Sequence, residues 1–163
     1  MTRHRSDPTW AYGKWRQPME MNGTTIIKRP ADDVFAYVSD VSNDTHWRAS
    51  VAESGWRSAE SIAPGVIGYS RAGSQEIEWK VLVYVPGERI EWELLNGPFQ
   101  GRGGYLLVPF EGGTQFTLLA DVEPTGLYRL LGPLFTRMGR KQNQADVEKL
   151  REILESTTDE GSE

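Results

Sequence analysis

The chain has 163 residues, 18 Lys and Arg against 23 Asp and Glu, a net charge of −5 and no cysteine. That length suits one domain, large enough to bury roughly two-thirds of its unfolded surface without staples. Zero cysteine excludes a disulfide scaffold, thiol catalysis, Cys-ligated zinc and iron–sulfur clusters, and the acidic balance argues against a nucleic-acid protein.

Residues 1–18 mix charges, prolines and aromatics (Trp10, Tyr12, Trp15) without a clean period and read as a poorly ordered arm. Glu20–Lys28 reads as a first strand ending at Arg29-Pro30. Pro30 opens a short helix with Asp32 and Asp33 at its positive end and an apolar stripe of Val34, Phe35 and Val38. A second short helix is expected over Val41–Trp47, capped by Ser42 or Asn43. From Ser50 to Glu123 every signal is strand or turn: Ser50–Arg57, Val66–Ala72, Glu76–Val85, Arg89–Leu95, Phe99–Val108 and Thr114–Glu123. In the third of these, Ile77, Trp79, Val81, Val83 and Val85 are expected on one face and Glu76, Glu78 and Lys80 on the other. After Pro124 the period becomes helical, with Leu127, Leu130, Leu131, Leu134, Phe135 and Met138 leading one amphipathic helix of about 30 residues. It is expected to bend near Gly132-Pro133, with its stripe serving as a core seam rather than a membrane anchor. Residues 157–163 form an acidic tail, leaving 19–156 as the domain.

The order β, two short helices, six antiparallel strands and one long helix predicts an α+β fold: a seven-stranded curved sheet wrapped around its C-terminal helix. One helix about 10 Å across cannot fill the concavity of a strongly twisted sheet. The remainder must be filled by the small helices, by large side chains such as Trp79, Trp92, Phe99, Tyr105 and Phe116, or by a ligand. Gly101 and Gly103 share a strand face with Phe99 and Tyr105, which reads either as a bend or as volume vacated for a ligand.

The segments Ile27-Lys-Arg-Pro-Ala-Asp-Asp-Val-Phe35, Asp44-Thr-His-Trp47, Gly97-Pro-Phe-Gln-Gly-Arg-Gly103, the Gly-Gly-Thr114 turn, Thr125–Leu134 and Gln142–Leu154 occur in an informative order. With them the chain resembles the START/SRPBCC superfamily of helix-grip proteins, related in fold to the birch pollen allergen, and looks closest to its bacterial polyketide cyclase/dehydrase branch. The resemblance covers about residues 20–156 and implies a hydrophobic tunnel between sheet and long helix. It does not imply one chemistry, since members range from carriers to aromatase/cyclases and co-chaperone-like modules.

Chemistry-bearing residues are sparse. His46, beside Trp47 at the expected tunnel mouth, is a candidate proton carrier. Tyr105 offers a phenol on the glycine face, and Gln142, on the helix stripe, an amide that could orient a carbonyl or hydroxyl. The expected ligand-binding set is Trp47, Tyr69, Trp79, Trp92, Phe99, Gly101, Gly103, Tyr105 and Phe116 with Leu134, Met138 and Gln142 from the helix. No nucleophile elbow, dinucleotide loop, cofactor motif or metal-ligand spacing is present in the sequence.

Three functions fit. The first is binding of a hydrophobic small molecule, such as a polyketide, lipid or aromatic metabolite, with affinity from apolar burial at about 25 cal/mol per Å². The second is a cofactor-independent cyclase, aromatase or dehydratase that templates its substrate and moves a proton with one acid/base. The third is a protein-interaction module using the Trp-bearing arm. The partners expected are a hydrophobic small molecule, no nucleic acid and no stable membrane insertion. Assembly is expected to be monomeric or homodimeric, and a cytoplasmic location is the default because no signal peptide or spanning run is visible.

Overall fold

A computed structural model describes residues 21–57 and 60–156; the predicted arm and tail lie outside them. The sheet has seven antiparallel strands in the order β1-β7-β6-β5-β4-β3-β2. These are β1 (Gly23–Ile27), β2 (Glu53–Trp56), β3 (Ile67–Ala72), β4 (Gln75–Val85), β5 (Arg89–Leu94), β6 (Phe99–Phe110) and β7 (Gly113–Pro124). Six consecutive strands pair as hairpins, and β1 closes the far edge by pairing with β7, Ile27 opposite Thr114. Helices α1 (Ala31–Ser39) and α2 (Asp44–Trp47), joined through a 3-10 turn, follow β1, and α3 (Gly132–Ser156) ends the described chain. The curved sheet over a final helix is what the alternating strands and helical period predict, and the topology is the helix grip that the resemblance implies.

Local chemistry accounts for the short helices. Pro30 precedes α1, Asp32 and Asp33 occupy its first turn, and Val34, Phe35 and Val38 are buried as the stripe requires. The cap between the two helices differs from expectation: Asp40 accepts from the Ser42 N–H, while the Asn43 side chain donates to the Tyr37 carbonyl. The core gathers Ile27, Val34, Val38, Val81, Ile90, Phe116, Leu118, Val147 and Leu150, where the C-terminal half of α3 lies over β1 and β7.

Two expectations are corrected. In β4 the pairing shifts between Val81, opposite Trp92, and Val83, opposite Glu91. This bulge reverses the alternation, so Tyr84 pairs with Ile90 and its ring meets Phe35 at 5.6 Å, in place of Val83 and Val85 facing inward. The long helix forms as expected, its opening turns at Gly126–Leu131 being 3-10 before α3 continues without a gap at Gly132, but its role as a core seam is corrected. The stripe is a seam only in the second half of α3: Val147, Leu150 and Leu154 are buried, whereas Leu127, Leu130, Leu131 and Leu134 are exposed. No helix of the described residues is long and apolar enough to cross a membrane.

Candidate functional site

Between the concave face of the sheet and the first half of α3 lies a cavity of about 490 Å³. Its apolar wall comes from Trp79, Trp92, Leu94, Phe99, Ala120 and Val122 on the strands and from Phe135 and Met138 on α3. The rings form a chain: Trp56 meets Trp79 at 5.0 Å, Trp79 meets Trp92 at 5.5 Å, and Trp92 meets Tyr105 at 4.9 Å. Buried indoles need acceptors, and Trp79 Nε1 finds one in Ser70 Oγ at 3.1 Å.

Glycines shape this wall in a way the sequence left open. A Cβ at Gly103 would lie 2.8 Å from Trp92 Nε1, and one at Gly68 would lie 2.2 Å from the Trp79 ring. Each glycine thus gives its room to an indole rather than to a ligand. Gly101 is a bend: its φ is +132°, and a Cβ there would lie 2.2 Å from the Asp121 carbonyl oxygen.

One end of the cavity is polar. Tyr105, fully buried on β6, donates through its hydroxyl to Asp44, which α2 holds beneath the sheet. Arg48 Nη1, one helical turn on, stands 3.6 Å from Asp44 Oδ2 with its side chain 21% exposed. Arg48 Nε is buried and has no protein hydrogen-bond partner. A second buried acid, Asp146 on α3, accepts from the Ala49 N–H at 3.2 Å and from Gln142 Nε2 at 2.7 Å. Asp44, Arg48, Tyr105 and Gln142 all line the cavity.

Burial raises the Asp44 carboxyl to about 6, against the opposing pull of the Arg48 charge and the Tyr105 hydrogen bond. Burial, and after it the negative charge of Asp44, holds the Tyr105 phenol well above its usual range, so it stays protonated and remains a donor. The site therefore presents a carboxyl that changes state near neutral pH, a fixed phenol and a guanidinium with one unsatisfied N–H, all at the end of an aromatic cavity.

Of the residues proposed from sequence, Trp79, Trp92, Phe99, Gly103, Tyr105, Met138 and Gln142 line this cavity. Five do not. Trp47 is buried behind the wall against Tyr105 and Phe116, and Phe116 is itself core. Tyr69 points to the outer face, where its hydroxyl donates to Glu53 and Arg57 stacks on its ring. Gly101 bends the strand, and Leu134 faces solvent. The candidate proton carrier His46 is exposed, with Nδ1 3.2 Å from the Tyr37 hydroxyl, because α2 turns Asp44 and Trp47 inward and so turns His46 out. Asp44, Arg48 and Asp146 escaped the sequence reading. The signal was present only as an acid and a cation four apart around an inward tryptophan, a spacing that exposed helices also use.

Among the described residues no group of three or more His, Asp or Glu side chains could hold a metal ion. A search of curated proteins gives no match. Solved structures match in fold over most of the chain. DynU16, from the dynemicin biosynthetic locus, is 15% identical with a TM-score of 0.64, over 85% of this chain and 48% of that one, so this chain spans about half its length. TTHA0849 from Thermus thermophilus is 19% identical with a TM-score of 0.63, covering 88% of this chain and 99% of that one. The Zhui aromatase/cyclase from Streptomyces sp. R1128 is 14% identical with a TM-score of 0.63, covering 83% and 93%. The family model described as polyketide cyclase/dehydrase and lipid transport matches residues 19–155, and the chain belongs to that family.

Proposed function

We propose that the protein binds a hydrophobic, ring-bearing small molecule that carries at least one carbonyl or hydroxyl oxygen. The observation that carries this reading is the aromatic cavity of about 490 Å³ with one polar end. Its volume lies within the roughly 300–1,000 Å³ typical of small-molecule sites. Burial of ligand apolar surface supplies affinity at about 25 cal/mol per Å². Arg48 and the Gln142 amide, both on the wall, set orientation by donating to an oxygen that reaches the polar end.

A second reading, a cofactor-independent cyclase or dehydratase, is favoured by one feature: Asp44, inside the cavity, with a pKa raised to about 6. As carboxylate it can take a proton from a carbon next to a carbonyl, and as acid return one to a leaving hydroxyl, while the cavity holds the chain in a reactive fold.

Titration of the full chain with polycyclic aromatic ketones and with their parent hydrocarbons, followed through tryptophan emission, tests the first reading. Saturable quenching, tighter for the ketone, supports it; no saturable change with either class removes it. Asp44→Asn separates the two readings. A carrier keeps its ligand with altered affinity, whereas an enzyme keeps binding and loses turnover of a reactive poly-β-carbonyl substrate.

A further inference from the structure

The segment from Gly126 to Lys141 is unlike the rest of the molecule. Leu127 and Leu130 are 86% and 85% exposed, and Tyr128, Leu131, Leu134 and Met138 are each half-exposed or more. Four cations, Arg129, Arg137, Arg140 and Lys141, accompany them without one acid, in a chain whose net charge is −5. All four are exposed. Arg137, Arg140 and Lys141 line an open groove along the outer side of α3, together with Asn22, Gln144 and Glu148. An apolar cluster of this density on a water-facing surface costs free energy unless something covers it.

We infer that the Gly126–Lys141 segment docks the protein on the surface of a membrane containing anionic lipid, with the leucines in the acyl boundary and the cations at the headgroups. Three features select this occupant. Leu127 and Leu130, 86% and 85% exposed, project into solvent, and an acyl layer takes up projecting side chains without a matched pocket. Within the segment itself the charge is all positive and complementary to anionic headgroups. Tyr128 adds an amphipathic ring of the kind that settles at the interface. The patch is also continuous with the cavity: Phe135 and Met138 belong to its wall, and Tyr128 meets Phe135 at 6.1 Å. Docking would therefore bring the Phe135 and Met138 wall of the cavity to the bilayer, a consequence that rests on the binding function proposed above; the docking itself does not.

Co-sedimentation of the full chain with vesicles tests it, using phosphatidylcholine alone and phosphatidylcholine with about a third phosphatidylglycerol. Binding is expected to the mixed vesicles only, and to weaken about tenfold or more as salt rises toward about 0.5 M. Leu127→Ala/Leu130→Ala and Arg137→Gln/Lys141→Gln should each lower the partition about tenfold with an unchanged melting temperature, since all four side chains are exposed. Three results would overturn the proposal: no binding to mixed vesicles, equal binding by both double variants, or a solution dimer of the wild type that Leu127→Ala/Leu130→Ala makes monomeric. The last would assign the patch to a second copy of the chain. Because no cavity ligand is used, failure here leaves the binding function standing, and the reverse.

Discussion

The Tyr105 hydroxyl lies 2.9 Å from each carboxylate oxygen of Asp44, although 61 residues separate them in sequence. Neither residue is exposed, so the pair joins the middle of the sheet to the short helix α2 through one shared proton donor. A carboxyl so placed is held away from water and in contact with the cavity at once, and its ionisation couples the fold to the site.

That coupling has a sign. Asp44 rises from about 3.8 to about 6 on folding, mainly through burial. The native state therefore holds this proton more tightly, and the group's contribution to stability is greatest below about pH 4 and falls as pH rises through about 6. The loss is on the order of a few kcal/mol, reached above pH 6. Asp44→Asn cannot ionise, so its stability relative to wild type should climb between pH 4 and 7. Urea unfolding of both proteins across that range measures it, and parallel pH profiles would contradict the burial argument.

Removing the donor should act in the other direction. Tyr105→Phe keeps the ring packed against Trp92 and Phe116 but deprives Asp44 of its hydrogen bond. A destabilisation of about 1–3 kcal/mol is expected, larger at pH 8 than at pH 5. The Asp44 carboxyl should titrate still higher, since that bond opposes the upward shift. Carboxyl carbon NMR chemical shifts against pH would read this directly.

Filling the cavity should abolish binding without unfolding the protein. Val122 lies on the wall opposite Gly101 and is partly exposed, so Val122→Trp places an indole in open volume rather than in packed core. A tenfold or greater loss of aromatic-ketone affinity is expected, with stability changed by less than about 1.5 kcal/mol. Retained affinity would mean that the ligand lies elsewhere.

Gly101→Ala should be costly and Gly103→Ala differently so. The first forces a side chain onto a positive φ and against the Asp121 carbonyl, a loss of about 2–4 kcal/mol in urea unfolding. The second pushes the Trp92 indole into the cavity and should shift its emission while weakening ligand binding. His46→Ala, by contrast, removes one exposed contact to Tyr37 and should change stability by no more than about 0.5 kcal/mol and ligand affinity not at all.

Periodicity is local, and what it determined was local: hairpin-spaced strands, the short helix with Val34, Phe35 and Val38 inward, the final helical period, and aromatic side chains for the wall of a sheet that one helix cannot fill. The resemblance added the helix-grip topology. Three things needed the tertiary structure. The bulge after Val81 depends on how β5 presents its partners, so it exchanged Val83 for Tyr84 without disturbing an alternation that reads as continuous. The leucines of Gly126–Leu134 have the period of a buried seam, yet burial depends on what lies opposite, and α3 meets β1 and β7 farther along. Finally, a short helix with Asp44, His46 and Arg48 can present any of them to the interior. Trp47 anchors against Tyr105 and Phe116, and that long-range packing decided that the carboxylate went in and the imidazole stayed out.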